Sequence, residues 1–252
     1  MIDITIIATR RAEILEKTVS SFRDNVLSKY TYYNPWPTVH INIDPVGPDK
    51  SGDATKDVVL RHFMDSNVFF NEPAKPSFPK AFKWVLDNVG AEYNYVFHLE
   101  DDWEFLRPVN INRMLLLMAY NPDLAILRLP WKPTGPDSMK NWKYFFPWNG
   151  EFFECPKELR RTVGFCGHPS LIRTSFIRNT IKYVDDTKNP EKQFHHGHPG
   201  LMKEVARWRY GVFAEPNQPP AIRDIGRQWM IKNGFKKVGN KAFFTQWERI
   251  DA

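Results

Sequence analysis

The stretch Tyr95–Trp103, YVFHLEDDW, decides the fold, because an apolar, strand-like run ends in the three acids Glu100, Asp101 and Asp102. In open α/β sheets, ligands bind beyond the carboxyl ends of the strands. Carboxylate oxygens suit the hard ions Mg²⁺ and Mn²⁺, and such an ion can clamp the phosphates of a substrate. The stretch therefore predicts a buried strand that presents a metal-binding carboxylate cluster. A solvated acidic turn is the alternative interpretation.

The composition is globular, and the length fits one α/β domain or one domain with a modest appendage. The chain has 252 residues, of which 42% are apolar and 25% charged, and a formal net charge of +6. The charge favours anionic partners such as nucleotides, phosphates or nucleic acid. No apolar run approaches the roughly 18–20 residues that span a bilayer, and Ile2–Ile7 reads as a strand, not as a signal peptide. With only two cysteines, the chain is expected to be cytoplasmic.

Hydrophobic periodicity predicts alternating strands and helices, typical of a mostly parallel sheet flanked by helices. The predicted strands are Ile2–Ala8, Val39–Asp44, Ser66–Asn71, Asn94–Leu99, Leu124–Leu129, Gly167–Ile172 and Tyr210–Ala214. The predicted helices are Ala12–Leu27, Asp53–Asp65, Lys80–Asn88, Asn110–Tyr120, Thr174–Tyr183 and Gly200–Trp208. The segment Pro130–Pro156, rich in aromatic residues, proline and glycine, is interpreted as a substrate-binding loop. No linker divides the chain into two domains.

Polar side chains recur at one edge of this predicted sheet. Thr9, Arg10 and Arg11 follow the first strand, Asp44 ends the second, and Lys80 begins the helix before the acidic strand. Neither a Walker loop nor a dinucleotide glycine fingerprint is present. Phosphates would therefore be bound through a metal ion and cationic side chains.

These features resemble the nucleotide-sugar-dependent glycosyltransferases of the GT-A fold, and most of all the broad inverting family that uses UDP-sugars. The resemblance covers about residues 2–102 well and 164–229 loosely. It implies that Thr9, Arg10 and Asp44 contact the nucleoside. The family's Asp-X-Asp motif stands here as Glu100-Asp101-Asp102, which implies that Asp102 binds Mn²⁺ or Mg²⁺ and that Glu100 lies near the ribose or a metal-bound water. Asp101 receives no role.

The resemblance also divides the single domain, residues 1–252, into two halves. Residues of about 1–106 would bind the UDP-sugar, and residues of about 107–252 would bind the acceptor. Near the end of the chain, Asp224 stands where many members have a metal-binding histidine, and Arg223 or Arg227 could face the phosphates. The family's catalytic acid has no counterpart at the expected position, so Glu191 and His198 are the candidate bases.

The acceptor stays open between several hydroxyl-bearing classes. Some phage and viral enzymes of this architecture glycosylate hydroxymethylpyrimidines in DNA, and this chain is similar in its size and its basic C-terminal part. In that case it would act in the host cytoplasm. Aromatic residues between the basic ones would stack on bases: Trp208, Tyr210, Trp229, Phe235, Phe243, Phe244 and Trp247. The alternatives are a glycan or protein acceptor, a metal-dependent nucleotidyltransferase or phosphoesterase, and a non-catalytic nucleic-acid-binding protein.

Overall fold

The computed structural model describes residues 2–30, 36–134, 146–163, 165–238 and 246–249. Its strands are β1 Ile2–Thr9, β2 Val39–Asp44, β3 Val68–Asn71, β4 Tyr95–Glu100, β5 Trp103–Phe105, β6 Leu124–Arg128, β7 Phe153–Glu154, β8 Ser170–Arg173, β9 Arg209–Val212, β10 Ile222–Asp224, β11 Phe235–Val238 and β12 Gln246–Arg249. Its α-helices are α1 Ala12–Asn25, α2 Asp53–His62, α3 Phe78–Asp87, α4 Ile111–Tyr120, α5 Arg160–Val163, α6 Thr174–Thr180, α7 Pro190–His196, α8 Pro199–Arg207 and α9 Gly226–Lys232.

Eight of these strands form one sheet in the order β3-β2-β1-β4-β8-β6-β9-β7. Strands β1, β2, β3 and β4 are parallel, as are β6 and β9, whereas β8 runs antiparallel to both of its neighbours. The predicted α/β fold with a mostly parallel central sheet is confirmed. Two further antiparallel pairs, β5 with β10 and β11 with β12, complete the described strands.

Strand β1 is buried because helices cover both faces of the sheet. Ile4 and Ile6 belong to a core shared with α1, α2 and α4, whereas Ile7 belongs to a second core shared with α3, α6, α7 and α8. This alternation follows from the two-residue period of a strand. Fully burying one such aliphatic or aromatic side chain contributes about 1.5–3 kcal/mol. The predicted apolar strands therefore form the buried core that supports the polar residues at their carboxyl ends.

Polar side chains also lie inside the sheet, where they pair across strands. Thr5 Oγ1 and His98 Nδ1 are 2.9 Å apart, and His40 Nε2 lies 3.2 Å from Asp3 Oδ2. All four residues are buried. These pairs satisfy groups that would be costly to bury alone. They explain why the Ile2–Ile7 run tolerates an aspartate and a threonine.

Several predicted boundaries shift for local reasons. The third helix begins at Phe78 instead of Lys80, because Pro79 fits the first turn, where its missing N–H costs nothing. The helix α7 was not predicted. It begins after Asn189, whose Oδ1 caps it by accepting a hydrogen bond from Lys192 N at 3.1 Å. The 130–156 segment contributes β7 to the sheet, so its interpretation as a loop was wrong at residues 153–154; residues 135–145 lie outside the described residues.

Candidate active site

Asp101, which received no role above, is the structural centre of the acidic stretch. Its Oδ2 accepts hydrogen bonds from Thr9 N and Thr9 Oγ1, both at 2.8 Å, and its Oδ1 accepts one from Arg11 Nη2 at 2.6 Å. Its carbonyl oxygen accepts a hydrogen bond from Thr18 Oγ1 at 2.7 Å. Asp101 therefore locks the end of β4 to the loop after β1. Both oxygens of the middle carboxylate are therefore occupied by donors of the chain itself.

Asp102 and Asp224 are the two predicted metal ligands and lie far apart in the sequence. The β5–β10 pair brings them together. Asp224 is in register with Trp103, and Ile225 N donates to the carbonyl of Asp102 at 2.9 Å. A Cβ at Gly226 would overlap the Asp102 carboxylate, so only glycine lets the start of α9 approach this closely. Asp224 Oδ1 also accepts a hydrogen bond from Arg227 N at 3.1 Å.

The environment of Asp102 opposes its ionisation. Burial raises the pKa of Asp102 to about 7, with further contributions from the charges of Asp101 and Asp224, while Arg11 acts in the opposite direction. Arg11 Nη2 lies 3.2 Å from Asp102 Oδ2. A group with so large a shift at a sheet edge is a candidate for a functional role.

Glu100 and Glu191 meet at Gly167, which lies between β4 and α7. Gly167 N donates a hydrogen bond to Glu191 Oε1 at 2.6 Å, and a Cβ at Gly167 would lie 2.8 Å from Glu100 Oε1. Trp103 Nε1 donates to Glu100 Oε2 at 3.2 Å. Burial, followed by the charges of Asp102 and Glu191, raises the pKa of Glu100 well above its usual value. Glu191 is thus held beside the acidic stretch.

An aromatic surface adjoins this carboxylate pair. The ring of His168 lies 4.9 Å from that of Trp103 and 5.8 Å from that of Trp131, both in edge-on orientations. Trp131 follows β6 and is 38% exposed, so part of its ring remains available for a ligand. Sequence analysis had not singled out Trp103 or Trp131. Apolar ring faces next to carboxylates favour a ligand with both C–H and O–H groups.

The predicted nucleoside-binding residues lie at the ends of β1 and β2. Asp44 is buried, and its carboxylate accepts hydrogen bonds from Asn42 Nδ2 at 2.8 Å and Ser77 N at 2.9 Å. Burial raises the pKa of Asp44. Arg10 donates to the carbonyl of Lys50.

Two predicted cations, Lys80 in the first turn of α3 and Arg227 in that of α9, are exposed on the surface. Their side chains have no ion pair with any described residue.

His198, the second candidate base, has a different position. It is exposed, its Nδ1 accepts a hydrogen bond from Gly200 N at 3.1 Å, and its ring stacks on that of Tyr183 at 5.2 Å. These contacts make it the N-cap of α8. No described contact connects His198 with Glu100, Asp102 or Glu191. Of the two candidates, Glu191 is the one that lies beside the acidic stretch, with Gly167 between it and Glu100.

Sequence reasoning placed Arg11 beside Thr9 and Arg10 at the end of the first strand but assigned a role only to Thr9 and Arg10. The Arg11 side chain is buried, bonds to both Asp101 and Asp102, and places its guanidinium 5.3 Å from the centre of the Trp229 ring. Thr9 and Arg11 share Asp101 as a partner, and their two-residue spacing in an extended chain, which places both on one side, is the signal that could have predicted this. The predicted stacking roles of Trp208 and Tyr210 are wrong, because both side chains are buried in the core.

The described residues contain neither a complete metal-binding cluster nor a membrane-spanning helix. No three His, Cys, Asp or Glu side chains among them converge in a way that could hold a metal ion alone. No helix in the same part of the chain is long and apolar enough to cross a membrane.

No family model matches the chain, and no curated protein matches its sequence. Solved structures share its fold. S. aureus TarS 1–349 in complex with UDP aligns with a TM-score of 0.56 and 12% identity, over 88% of this chain and 60% of that one. The mannosyltransferase PcManGT from Pyrobaculum calidifontis, in complex with GDP-Man and Mn²⁺, gives a TM-score of 0.53 and 12% identity, over 85% of this chain and 55% of that one.

A third structure belongs to another class. The synthetase of CMP:2-keto-3-deoxy-manno-octonic acid, complexed with CTP, aligns with a TM-score of 0.50 and 12% identity over 92% of this chain and 96% of that one. The chain is thus similar to GT-A-like proteins in fold, and it spans a little over half the length of the TarS and mannosyltransferase chains. Because a mannosyltransferase and a synthetase share this fold, the reaction has to be argued from the site.

Proposed function

We propose that the protein is a metal-dependent glycosyltransferase that moves a sugar from a UDP-sugar to an acceptor hydroxyl. The observation that carries the proposal is the meeting of Asp102 and Asp224 across the β5–β10 pair, at the carboxyl edge of a GT-A-like sheet. The solved structures of this fold include complexes with UDP, with UDP-GlcNAc and with GDP-Man and Mn²⁺.

The residues at this edge fit a divalent cation. Asp102 and Asp224 supply oxygen ligands, and their mutual repulsion, which contributes to the raised pKa of Asp102, is relieved by a positive ion. Two carboxylates do not complete a coordination shell, so the diphosphate of the donor would supply further oxygens. When bound, the cation would neutralise charge on the departing diphosphate.

The half of the chain formed by residues of about 1–106 would bind the donor. Asp44 at the end of β2 and Thr9 with Arg10 after β1 would contact the nucleoside. The exposed cations Lys80 and Arg227 would approach the phosphates from α3 and α9, and Glu100 would lie near the ribose or a metal-bound water. Arg11 would hold Asp101 and Asp102 in position, since it bonds to both.

The other half, residues of about 107–252, would bind the acceptor, with Glu191 as the base. In this reaction the acceptor oxygen forms a bond to the anomeric carbon, the bond from that carbon to the diphosphate breaks, and the acceptor proton passes to the Glu191 carboxylate. The hydrogen bond from Gly167 N fixes Oε1 of Glu191, and its other oxygen stays available to the acceptor. His198 would be the base only if α8 moved toward the acids.

Two acceptor classes are supported by different features. The net charge of +6 supports hydroxymethylpyrimidine in DNA. The exposed face of Trp131, next to His168 and near Glu191, supports a glycan, whose C–H face packs on aromatic rings. Incubation with Mn²⁺, a UDP-sugar panel and either hydroxymethylated DNA or glycans distinguishes the two classes by which acceptor gains the sugar.

The central experiment compares Asp102→Asn with Glu104→Gln. Glu104 lies two residues further along, in β5, and its carboxylate pairs with the exposed Arg223. Asp102→Asn is expected to reduce UDP release by at least about 10²-fold, because a metal ligand is lost. Glu104→Gln, the matched control, is expected to stay within about twofold of the unmodified protein. Equal rates for the two variants would contradict the assignment of Asp102 to the metal.

A nucleotidyltransferase is the second candidate, because the CTP-bound synthetase shares the fold. The products separate the two reactions. A glycosyltransferase releases a nucleoside diphosphate from a nucleotide-sugar, whereas a nucleotidyltransferase releases pyrophosphate from a nucleoside triphosphate. Pyrophosphate release from CTP or UTP with a sugar acid or sugar phosphate, and no UDP release from any UDP-sugar, would favour the second candidate.

A further inference from the structure

A small recess lies at the end of the β5–β10 pair opposite to the proposed metal site. Asp224 is in register with Trp103 at one end of this pair, whereas Leu106 N donates a hydrogen bond to the carbonyl of Ala221 at 2.8 Å just beyond the other. From there a recess of about 250 Å³ extends between the start of α4 and the loop after β9. It is smaller than the roughly 300–1,000 Å³ of most ligand pockets, so it fits a small molecule or one end group of a larger one.

Arg107 lines this recess and has no carboxylate partner among the described residues. Its Nε donates to the carbonyl of Pro219 at 3.2 Å and its Nη2 to Oε1 of Gln218 at 3.0 Å, so both bonds go to neutral acceptors. The side chain is half-buried, and burial lowers the pKa of Arg107, although the charge of Glu215 acts in the opposite direction. A half-buried guanidinium without an ion pair favours an anionic ligand.

The other charged groups around the recess leave the charge of Arg107 largely uncompensated. Arg113 Nη1 pairs with Glu215 Oε1 at 2.9 Å, so these two charges neutralise each other. Glu151 also lines the recess, but it is exposed, and water screens an exposed carboxylate. Asn110 caps α4 by accepting a hydrogen bond from Arg113 N at 3.0 Å, so the positive end of this helix lies beside the recess.

The recess is formed in advance of any ligand, because the loop that borders it is fixed by hydrogen bonds. Thr134 Oγ1 donates to the carbonyl of Glu215 at 2.6 Å and accepts a hydrogen bond from Gln218 N at 2.8 Å. Leu129 and Phe213 add apolar surface to the lining. A preformed recess binds without the cost of ordering a loop, and this lining suits a ligand with C–H surface as well as charge.

We propose that this recess binds a small organic anion, with its phosphate or carboxylate group paired with Arg107 and its remaining atoms against Leu129 and Phe213. The inference does not depend on the proposed function, because no donor, metal ion or transfer step enters it. The proposed reaction also gives Arg107 no role, so loss of this site and loss of UDP release can be observed separately.

The test is a calorimetric titration of the full chain in chelated buffer of low ionic strength. Three probes share one ring: glucose 6-phosphate, glucuronate and glucose. The first two distinguish a phosphate site from a carboxylate site, and glucose is the uncharged control. At least one anionic probe is expected to bind saturably, and at least about tenfold more tightly than glucose, because a hydrogen bond to a charged group is among the stronger ones.

A pair of arginine substitutions identifies the site. Arg107→Gln is expected to weaken binding of the anionic probe by at least about tenfold, because the charge-assisted hydrogen bond is lost. Arg178→Gln is the matched control, since Arg178 is also exposed to solvent in part and also donates to a backbone carbonyl, that of Gly90 at 3.0 Å. It lies beside the loop before β4, and its loss should change the affinity by no more than about twofold.

Two substitutions at the edge of the recess test the sign of its charge and leave Arg107 in place. Asn110→Asp adds a negative charge but still caps α4, so it should weaken anion binding by about threefold, and Glu151→Gln should strengthen it by a similar factor. This pair decides the question if Arg107→Gln does not fold. The proposal is overturned if neither anionic probe binds, if glucose binds as tightly as they do, if Arg107→Gln and Arg178→Gln have equal affinities, or if Asn110→Asp and Glu151→Gln do.

Discussion

Asp101 and Asp102 are neighbours in the sequence, yet their environments are opposite. The Asp101 side chain is 5% exposed, and every oxygen of its carboxylate accepts a hydrogen bond from the chain. The Asp102 side chain is 26% exposed, has one contact with Arg11 at 3.2 Å, and faces Asp224 instead of a second cation. One carboxylate is neutralised by the protein, and the other is the one to which we assign the cation in the proposed function.

The contrast extends to the groups around each acid. On the Asp101 side, Thr9, Arg11 and Thr18 form a closed network that fixes the loop after β1. On the other side, burial and then the charges of Asp102 and Glu191 raise the pKa of Glu100, and burial with the charges of Asp101 and Asp224 raises that of Asp102. A fully hydrogen-bonded network such as the one around Asp101 stabilises a fold. A cluster of carboxylates without enough cations, such as the one around Asp102, is typical of functional sites. The difference between the two acids can be measured as stability.

The largest expected effect is the loss of Asp101. The substitution Asp101→Ala leaves the buried guanidinium of Arg11 without its closest carboxylate and removes the acceptor of Thr9 N, so the free energy of unfolding should fall by about 3–5 kcal/mol. Urea denaturation measures this change. Asp123→Ala is the matched control, since Asp123 is an exposed partner of Arg209 and should cost about 0–1 kcal/mol. Equal losses for the two variants would contradict the central role of Asp101.

A smaller effect on stability is expected at His98, which lies inside β4 and not at its end. Burial lowers the pKa of His98 to about 4, whereas an unfolded histidine titrates near 6.5. Because the unfolded chain binds the proton more tightly, stability is fully present above pH 6.5 and is lost as pH falls toward 4. The loss attributable to His98 should be about 2–3 kcal/mol.

This loss is measured by comparing how much stability three proteins lose between pH 7 and pH 4.5. The free energy of unfolding is determined at pH 7 and at pH 4.5 for the unmodified protein, for His98→Gln and for the exposed control His196→Gln. The drop in stability should be smaller in His98→Gln, because glutamine has no proton to gain. If all three proteins lose the same free energy, His98 is not buried in its neutral form.

The strands of the first hundred residues could be predicted because their signals are local. β1, β2 and β4 are apolar runs bounded by charged, proline or glycine residues, and the structure confirms them within about a residue. Helical spacing likewise predicted α1, α2 and α4. Asp44 and Glu100 then follow at the sheet edge, because parallel strands end together.

The rest of the site depends on contacts distant in sequence. β5 and β10 have three residues each, too few to show a period, and they pair residues such as Trp103 and Asp224 that lie more than a hundred positions apart. The close approach of Gly226 to Asp102, and the hydrogen bond from Gly167 to Glu191, have no local signature. Asp224 was predicted as a metal ligand from the resemblance alone. That Arg11, and not Arg10, bonds to Asp101 depends on the direction of the Asp101 side chain, which the sequence does not show.

The smallest effect is expected at Asp102 and has the opposite sign to that at Asp101. The pKa of Asp102 is raised to about 7 in the folded protein, so the folded state holds its proton more tightly than the unfolded chain does. Stability is therefore lost as pH rises from about 4 to 7, and the full cost is present at pH 8. Asp102→Asn removes this cost and should raise the free energy of unfolding by about 1–2 kcal/mol at pH 8 in chelated buffer, with no gain at pH 4. Urea denaturation at the two pH values tests the sign of this effect. A loss of stability at pH 8 comparable to that of Asp101→Ala would mean that Asp102 is a structural acid like its neighbour. A gain in stability combined with the loss of UDP release would show that this carboxylate serves function and not folding.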